Sequence, residues 1–323
     1  AGLSGSAAAD AAGLGPIEIK MMTDGGYDKE FSSCLTAASA IIGPIIPPSN
    51  IMIIYAGCVG TVSVGKMFLA GAIPGILLGI AYMIFCYWIS VKRKYPCRKT
   101  RATWKEIGHA TWETLPALLL PIIIMGTITL GICTATESSA IAVIYSTIVA
   151  ACKKNLSIKS FCRACIRSAK AAANVLFIIA ISSAMAWAVT TLGVAQALTN
   201  FCVAYINNKI VFLLFVNVLL LLIGMLLDAS PALLLMVPIL WPVAKTLGID
   251  AIHFGVMVCF NLMVGTLTPP VGMMLFIVSN VGKVKLSVMY KGILPFVAVA
   301  VVVLLLITYV PSLTTWLPRV LMP

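Results

Sequence analysis

Apolar runs separated by short polar connectors fill this chain, at roughly 31–57, 68–91, 113–133, 139–152, 171–197, 210–226, 231–247, 254–282 and 292–312. A helix needs about 20 residues to cross a ~30 Å hydrocarbon core, so the pattern predicts a set of transmembrane helices. Several runs are too short or too broken to cross simply. Two of the breaks match. Gly43-Pro44-Ile45-Ile46-Pro47-Pro48 and Gly265-Thr266-Leu267-Thr268-Pro269-Pro270 each place a glycine the same interval before a double proline. Proline donates no backbone hydrogen bond, and in hydrocarbon every freed carbonyl must find a partner in protein, ion or enclosed water. The pattern predicts two discontinuous helices with something polar at each interruption.

Composition fits a membrane location. Of 323 residues, 61% are hydrophobic and 10% charged, with mean hydropathy +1.08, whereas soluble domains carry about 25% charged residues. The net charge of +12 does not point to nucleic acid, because the basic residues concentrate in connectors: Lys92, Arg93, Lys94, Arg98, Lys99, Arg101 and Lys105, then 153–170, then Lys283, Lys285 and Lys291. Short loops of this kind mark the cytoplasmic side. The 153–170 segment reads as a surface helix among anionic lipid headgroups. Ten cysteines lie mostly in apolar segments, where a free cysteine acts as a small hydrophobe. They imply no disulfide framework, and Cys162 and Cys165 read as two ordinary thiols.

Placing 92–105 inside makes 68–91 run inward and 31–57 run outward, with 20–30 inside and 56–67 outside. The second broken segment, 254–282, must then reach the inner loop at 283–291 from outside. Segments 210–226 and 231–247 accordingly enter and leave on the outer face, as a re-entrant helical hairpin with its tip at Gly224–Ala232. Ser4 precedes Pro47 by the same interval that separates Leu226, inside that tip, from Pro269. The unit of hairpin, broken helix and whole helix thus occurs twice, in opposite senses. An inverted repeat of this kind is the signature of a secondary transporter. The predicted fold is an all-α polytopic membrane protein with two re-entrant hairpins and two discontinuous helices. Its predicted divisions are a first transport half over 1–57, scaffold helices over 58–208, a second transport half over 209–282 and a C-terminal helix over 283–323.

Candidate chemistry gathers at the tips and breaks. Ser4 and Ser6 can face carbonyls released around Gly43 and Pro47, with the Asn50 amide just beyond. Gly224 and Ser230 can face Gly265 and Thr268. Hydroxyls and unpaired carbonyls suit a hard cation such as sodium, so two pseudo-symmetric ion sites follow. Half-helix N-termini direct positive dipole ends at the centre and favour a carboxylate substrate, for which Ser6, Asn50, Asp228, Ser230 and Thr268 are the candidate contacts. The competing reading has each hydroxyl bonding its own preceding turn. Asp10, Glu137 and Asp228 lie in apolar surroundings, where ionisable groups are usually functional or paired. Asp228, at a tip, is the strongest candidate. Glu137, in Thr134-Ala135-Thr136-Glu137, fits a capping acid where a helix restarts, and Asp10 can serve its own helix start. Gly71, Gly75 and Gly79 repeat every four residues and would let another backbone approach.

Taken in order, Ser4-Gly5-Ser6 with Ala8-Ala9-Asp10, the run Gly43 to Ser49, Gly71-Ala72-Ile73-Pro74-Gly75, the run Gly131 to Glu137, Val237-Pro238-Ile239, and His253-Phe254-Gly255 leading to Thr268-Pro269-Pro270-Val271-Gly272 resemble the large membrane subunit of tripartite ATP-independent periplasmic (TRAP) transporters, the DctM-like permeases. The resemblance covers essentially the whole chain. It departs at Ala135, where the family motif often has proline. It implies a bacterial inner-membrane protein, not an enzyme, that works as an elevator coupled to inward sodium movement and uses no other cofactor. It also implies a small DctQ-like membrane subunit, a periplasmic substrate-binding protein and an organic-acid substrate such as a C4-dicarboxylate or sialic acid. By the same resemblance one sodium site would use Ser4, Ser6, Gly43 and Pro47, and the other Gly224, Gly265, Thr268 and Val271. The start at Ala1, without an initiator methionine, reads as that of a fragment lacking three helices and one hairpin arm, which alone would not transport. Two other readings stand beside this one. Gly2-Leu3-Ser4-Gly5 spells the GxSG of rhomboid intramembrane proteases, with His253 as a conceivable base, and the hairpin physics also suits a sodium-coupled carboxylate carrier that needs no binding protein.

Overall fold

The computed structural model describes residues 5–96, 103–153, 156–193 and 208–322. The helices are, in chain order, α1 (Ala7–Gly13), α2 (Gly15–Asp24), α3 (Lys29–Ala40), α4 (Asn50–Val59), α5 (Val64–Arg93), α6 (Trp104–Thr129), α7 (Ala135–Cys152), α8 (Ile158–Thr191), α9 (Lys209–Gly224), α10 (Ala229–Thr246), α11 (Ala251–Gly265), α12 (Met273–Gly282), α13 (Leu286–Tyr309) and α14 (Ser312–Leu321). Contacts divide the chain into one unit of Ala1–Cys97 with Val189–Pro323 and another of Arg98–Ala188.

The first unit is a repeat. One register, without insertion or deletion, carries Ser6 onto Asp228, the N-caps of α1 and α10. It carries Asp28 onto Asp250, the N-caps of α3 and α11. It also carries Gly43 onto Gly265, Pro47 onto Pro269, and Val64 onto Leu286, where α5 and α13 begin. Both apolar runs with double prolines are broken as predicted, over 41–49 and 266–272, and both Pro–Pro bonds are cis. Contacts cross between the copies. α3 packs on α12 and α13, as α11 packs on α4 and α5, and α1 packs on α12 as α10 packs on α4.

The copies run in opposite senses. α13 is 24 residues long, about 36 Å at 1.5 Å per residue. The start of α3 lies by its first half, where the Cys34 thiol is 3.8 Å from the Met289 carbonyl and the Phe31 ring 6.0 Å from that of Phe296. The start of α11 lies at its far end, where His253 Nε2 is 3.2 Å from the Thr308 carbonyl. Connectors sort to match. At the end of α5 the Arg93 guanidinium and the Tyr95 hydroxyl both bond the Asp28 carboxylate, at 3.2 and 2.6 Å, joining two loops predicted to be inside. At its start Lys66 shares a pocket with Asp250, Thr315 and Arg319, so the connectors predicted to be outside also meet.

Within the second copy, α9 runs alongside α11 in the same direction. Asn261 Nδ2 donates to Asn217 Oδ1 at 2.7 Å, and Gly224 abuts Gly265 further on. α10 then returns, with the Trp241 ring 5.9 Å from that of Phe254. The turn between them falls at 225–228, inside the predicted tip. Four described helices are long and apolar enough to cross a membrane: Val64–Arg93, Ala135–Cys152, Ala229–Thr246 and Leu286–Tyr309.

The glycine row on α5 seats the first break. A Cβ at Gly71 would lie 2.5 Å from the Ile45 carbonyl oxygen and overlap Met52, and one at Gly75 would overlap Ile46. Gly79 has nothing within 4 Å, so the predicted close approach holds for two of the three.

In the second unit α6 and α7 pair antiparallel, with Thr127 Oγ1 2.9 Å from Ser138 Oγ and the Tyr145 hydroxyl donating to the Pro116 carbonyl at 2.9 Å. Glu137 is the capping acid expected. Its carboxylate accepts the Thr134 N–H at 2.8 Å while Thr134 Oγ1 accepts the Glu137 N–H at 3.3 Å, so a capping box closes the turn that lacks the family proline. The basic 153–170 segment is not a separate surface helix. Its residues from Ile158 open a helix that runs unbroken to Thr191, since Ala171-Ala172-Ala173 offers no breaker.

Gly71→Ala should therefore lower stability by about 1–3 kcal/mol through overpacking, while Gly79→Ala should be neutral or slightly stabilising. Thermal unfolding of both variants of the complete protein in detergent checks this, and equal midpoints would contradict the seating.

Candidate functional site

Each proline break meets a tip. In the first copy Gly5 adopts φ +65°, and a Cβ there would sit 2.5 Å from the Pro48 carbonyl oxygen. The Asn50 N–H, first after the break, donates to the Gly5 carbonyl at 3.4 Å. In the second copy a Cβ at Gly265 would lie 2.7 Å from Gly224 Cα. There the Gly272 N–H donates to the Met225 carbonyl at 3.2 Å. The repeat register places Gly272 on Asn50 but Gly5 on Leu227, so equivalent donors close both junctions onto tip carbonyls two positions apart.

Local side chains satisfy much of what the prolines free. Ser49, buried, donates to the Pro44 carbonyl and accepts the Met52 N–H at 3.3 Å, which caps α4. Tyr290 donates to the Pro270 carbonyl at 2.5 Å. Thr266 and Thr268 donate to the carbonyls of Met263 and Val264, at 2.7 and 2.9 Å. The Thr268 hydroxyl thus bonds its own preceding turn, and its oxygen keeps acceptor capacity for a cation.

The predicted residues distribute as follows. Ser4 lies outside the described residues. Ser6 caps α1, its oxygen accepting the Ala9 N–H at 3.4 Å. Gly43 and Pro47 are buried in the first break and Asn50 is exposed beyond it. Gly224 and Gly265 are buried and in contact, Thr268 and Ser230 are half-buried, and Val271 is exposed. Asp228 caps α10 by position, exposed and without a side-chain capping bond. The structure thus brings Gly5 and Ser6 to the first break and Gly224 with the 225–228 turn to the second. With α1 on α12 and α10 on α4, each tip helix leans on the helix that leaves the other break.

Sequence reasoning missed a buried amide chain. Asn261 Nδ2 donates to Asn217, and Asn217 Nδ2 donates to Thr308 Oγ1 at 3.0 Å, tying α9, α11 and α13. The available signal was an isolated asparagine in each of two otherwise apolar runs. His253 is 1% exposed and held on both ring nitrogens, Nδ1 at 2.9 Å from Thr314 Oγ1 and Nε2 at 3.2 Å from the Thr308 carbonyl. That occupancy leaves it unsuited as the base of a serine protease.

A protein helical throughout its described residues, apolar, and built from two opposed copies of tip, broken helix and whole helix has the architecture of a secondary transporter. Residues 1–313 match the family described as the tripartite ATP-independent periplasmic transporter, DctM component, and the chain belongs to that family. It is 41% identical over its whole length to the sialic acid TRAP transporter permease protein SiaT of Haemophilus influenzae, covering 52% of that protein. It is 40% identical over 98% of its length to the sialic acid TRAP transporter large permease protein SiaM of Vibrio cholerae, covering 74%. It is 35% identical over 99% of its length to the C4-dicarboxylate TRAP transporter large permease protein DctM of Pseudomonas aeruginosa, covering 74%. The chain therefore spans about half of the first relative and about three-quarters of the other two. The family is a permease component rather than an enzyme, and with its apolar helices the chain is a multi-pass protein of the bacterial inner membrane.

Gly265→Ala should push the 225–228 turn off its break. Thiol labelling of a Leu226→Cys reporter should then quicken severalfold, and an unchanged rate would show that the glycine contact does not hold the tip.

Proposed function

We propose that this chain is the core of a TRAP large subunit that takes up an organic acid by an elevator movement driven by sodium. The supporting observation is the paired tip–break junction, in which equivalent backbone N–H groups, of Asn50 and Gly272, donate to a tip carbonyl in each of two opposed copies. A pair of discontinuous helices meeting hairpin tips supplies carbonyls for cations and N–H groups for an anion at one depth. Residues 1–57 and 209–282 would form the moving body, with its hairpins re-entrant from opposite faces, and the helices of 58–208 would supply most of the scaffold.

Ser4, Ser6, Gly43 and Pro47 would frame one sodium, and Gly224, Gly265, Thr268 and Val271 the other. Backbone carbonyls and hydroxyl oxygens suit a hard cation without a second buried charge. Ser6, Asn50, Asp228, Ser230 and Thr268 would border the substrate carboxylate, which the N-termini of α4 and α12 favour by about 0.3–1 kcal/mol each. Relatives named for sialic acid and for C4-dicarboxylates support an organic-acid substrate. The family's tripartite name supports a small DctQ-like membrane subunit and a periplasmic binding protein as partners.

Uptake into proteoliposomes by the complete transporter should require an inward sodium gradient and the binding protein. Ser6→Ala and Thr268→Ala should each raise the sodium needed for half-maximal uptake, about threefold or more. Uptake indifferent to the binding protein would favour a self-sufficient carboxylate carrier, and an unchanged sodium dependence in both variants would refute the ion assignment.

A further inference from the structure

Behind the first tip a small cavity opens between α1, α2 and α3, lined by Asp10, Glu18, Thr36 and Ser39 with two alanines. Its free volume of about 10 Å³ admits one water-sized species. Thr36 is 2% exposed, and its Oγ1 has no hydrogen-bond partner among the described residues. Other hydroxyls on the same helix behave differently. Ser32 and Ser33 donate to the carbonyls of Asp28 and Lys29, at 2.9 and 2.8 Å. A buried polar group left unpartnered is costly, so Thr36 calls for an occupant. Ser39 donates to the Thr36 carbonyl at 3.2 Å, which leaves its oxygen able to accept. Asp10 is 7% exposed, and Glu18, half-buried, enters no ion pair among the described residues.

The second copy serves as a control. The repeat register carries Asp10, Glu18 and Thr36 onto Ala232, Leu240 and Val258, all buried. The same backbone arrangement there packs with apolar side chains, so the architecture does not demand these polar groups. Ser39 falls on Asn261, whose Nδ2 donates to Asn217 and whose buried Oδ1 has no partner among the described residues.

We propose that this cavity is a cation site for sodium, separate from both tip–break junctions. Two carboxylates and two hydroxyls offer oxygen donors only, the set a hard cation prefers. The choice of sodium over another hard cation rests on the sodium coupling proposed above. The Asp10 N–H bonds the Ser6 carbonyl at 3.0 Å, one turn from the tip. An ion shared by Asp10 and Thr36 would clamp α1 to α3 and hold the first tip against its break.

Equilibrium dialysis with radioactive sodium, on the complete transporter in lipid nanodiscs, counts the ions bound. Thr36→Val and Glu18→Gln should each remove one equivalent, or weaken it at least tenfold, while Thr36→Ser should keep it. Ser6→Ala should weaken a different equivalent, and the double variant with Thr36→Val should lose both. Unchanged binding in Thr36→Val and Glu18→Gln, with Ser6→Ala still defective, would overturn the cavity site and leave the proposed function standing. The reverse pattern would keep the cavity site and overturn the role of Ser6. Displacement of the Thr36-dependent equivalent by an equal concentration of calcium would overturn the assignment to sodium.

Discussion

A chain that leaves the helix inside an apolar body must find a partner for every backbone group it frees, and the rest of this structure is arranged around that demand. Two double prolines create the deficit twice, over 41–49 and 266–272. The tips answer it. The Gly5 carbonyl receives the Asn50 N–H, and the Met225 carbonyl receives the Gly272 N–H. Glycines make the approach possible, because side chains at Gly5 and Gly265 would collide with the Pro48 carbonyl and with Gly224. Serine, threonine and tyrosine hydroxyls take further carbonyls, at Pro44, Val264 and Pro270. A backbone so nearly satisfied by protein still presents oxygen to a cation, because each carbonyl has two lone pairs.

Duplication supplies the frame and divergence the chemistry. Helix starts and caps coincide through one register, and helices of each copy pack on those of the other. Side chains at equivalent places nevertheless differ: Ser6 against Asp228, Asn50 against Gly272, Thr36 against Val258. The two junctions therefore pair like backbones with unlike side chains. The buried amide chain through Asn217 and Asn261 fixes the second hairpin arm to the helices behind it.

Backbone-dictated features were legible in the sequence. The breaks, the turn at 225–228, the opposed copies and the Thr134–Glu137 capping box follow from proline, glycine, charge and hydroxyl placement, which act locally. The continuous helix Ile158–Thr191 was hidden, because charge along 153–170 suggested a change of environment where the backbone had no reason to stop. Tertiary partnerships were illegible for another reason. Nothing near Thr36 in sequence reveals that its hydroxyl would lack the partner Ser32 and Ser33 find within the helix. Gly79 shares the spacing of Gly71 and Gly75, yet only the helix face turned to the first break is crowded. The binding of His253 by Thr308 and Thr314 likewise depends on a segment far along the chain.

The central claim is that two opposed interruptions lie at one depth in the membrane and hold ions there. A cryo-microscopy map of the complete transporter in a lipid nanodisc with sodium tests it most directly. The account predicts both breaks near the bilayer midplane, with the connectors around Asp28 and Asp250 at opposite surfaces and ion density beside Gly43 and Gly265. Unbroken helices through 41–49 and 266–272, or breaks lying outside the hydrocarbon layer, would contradict it.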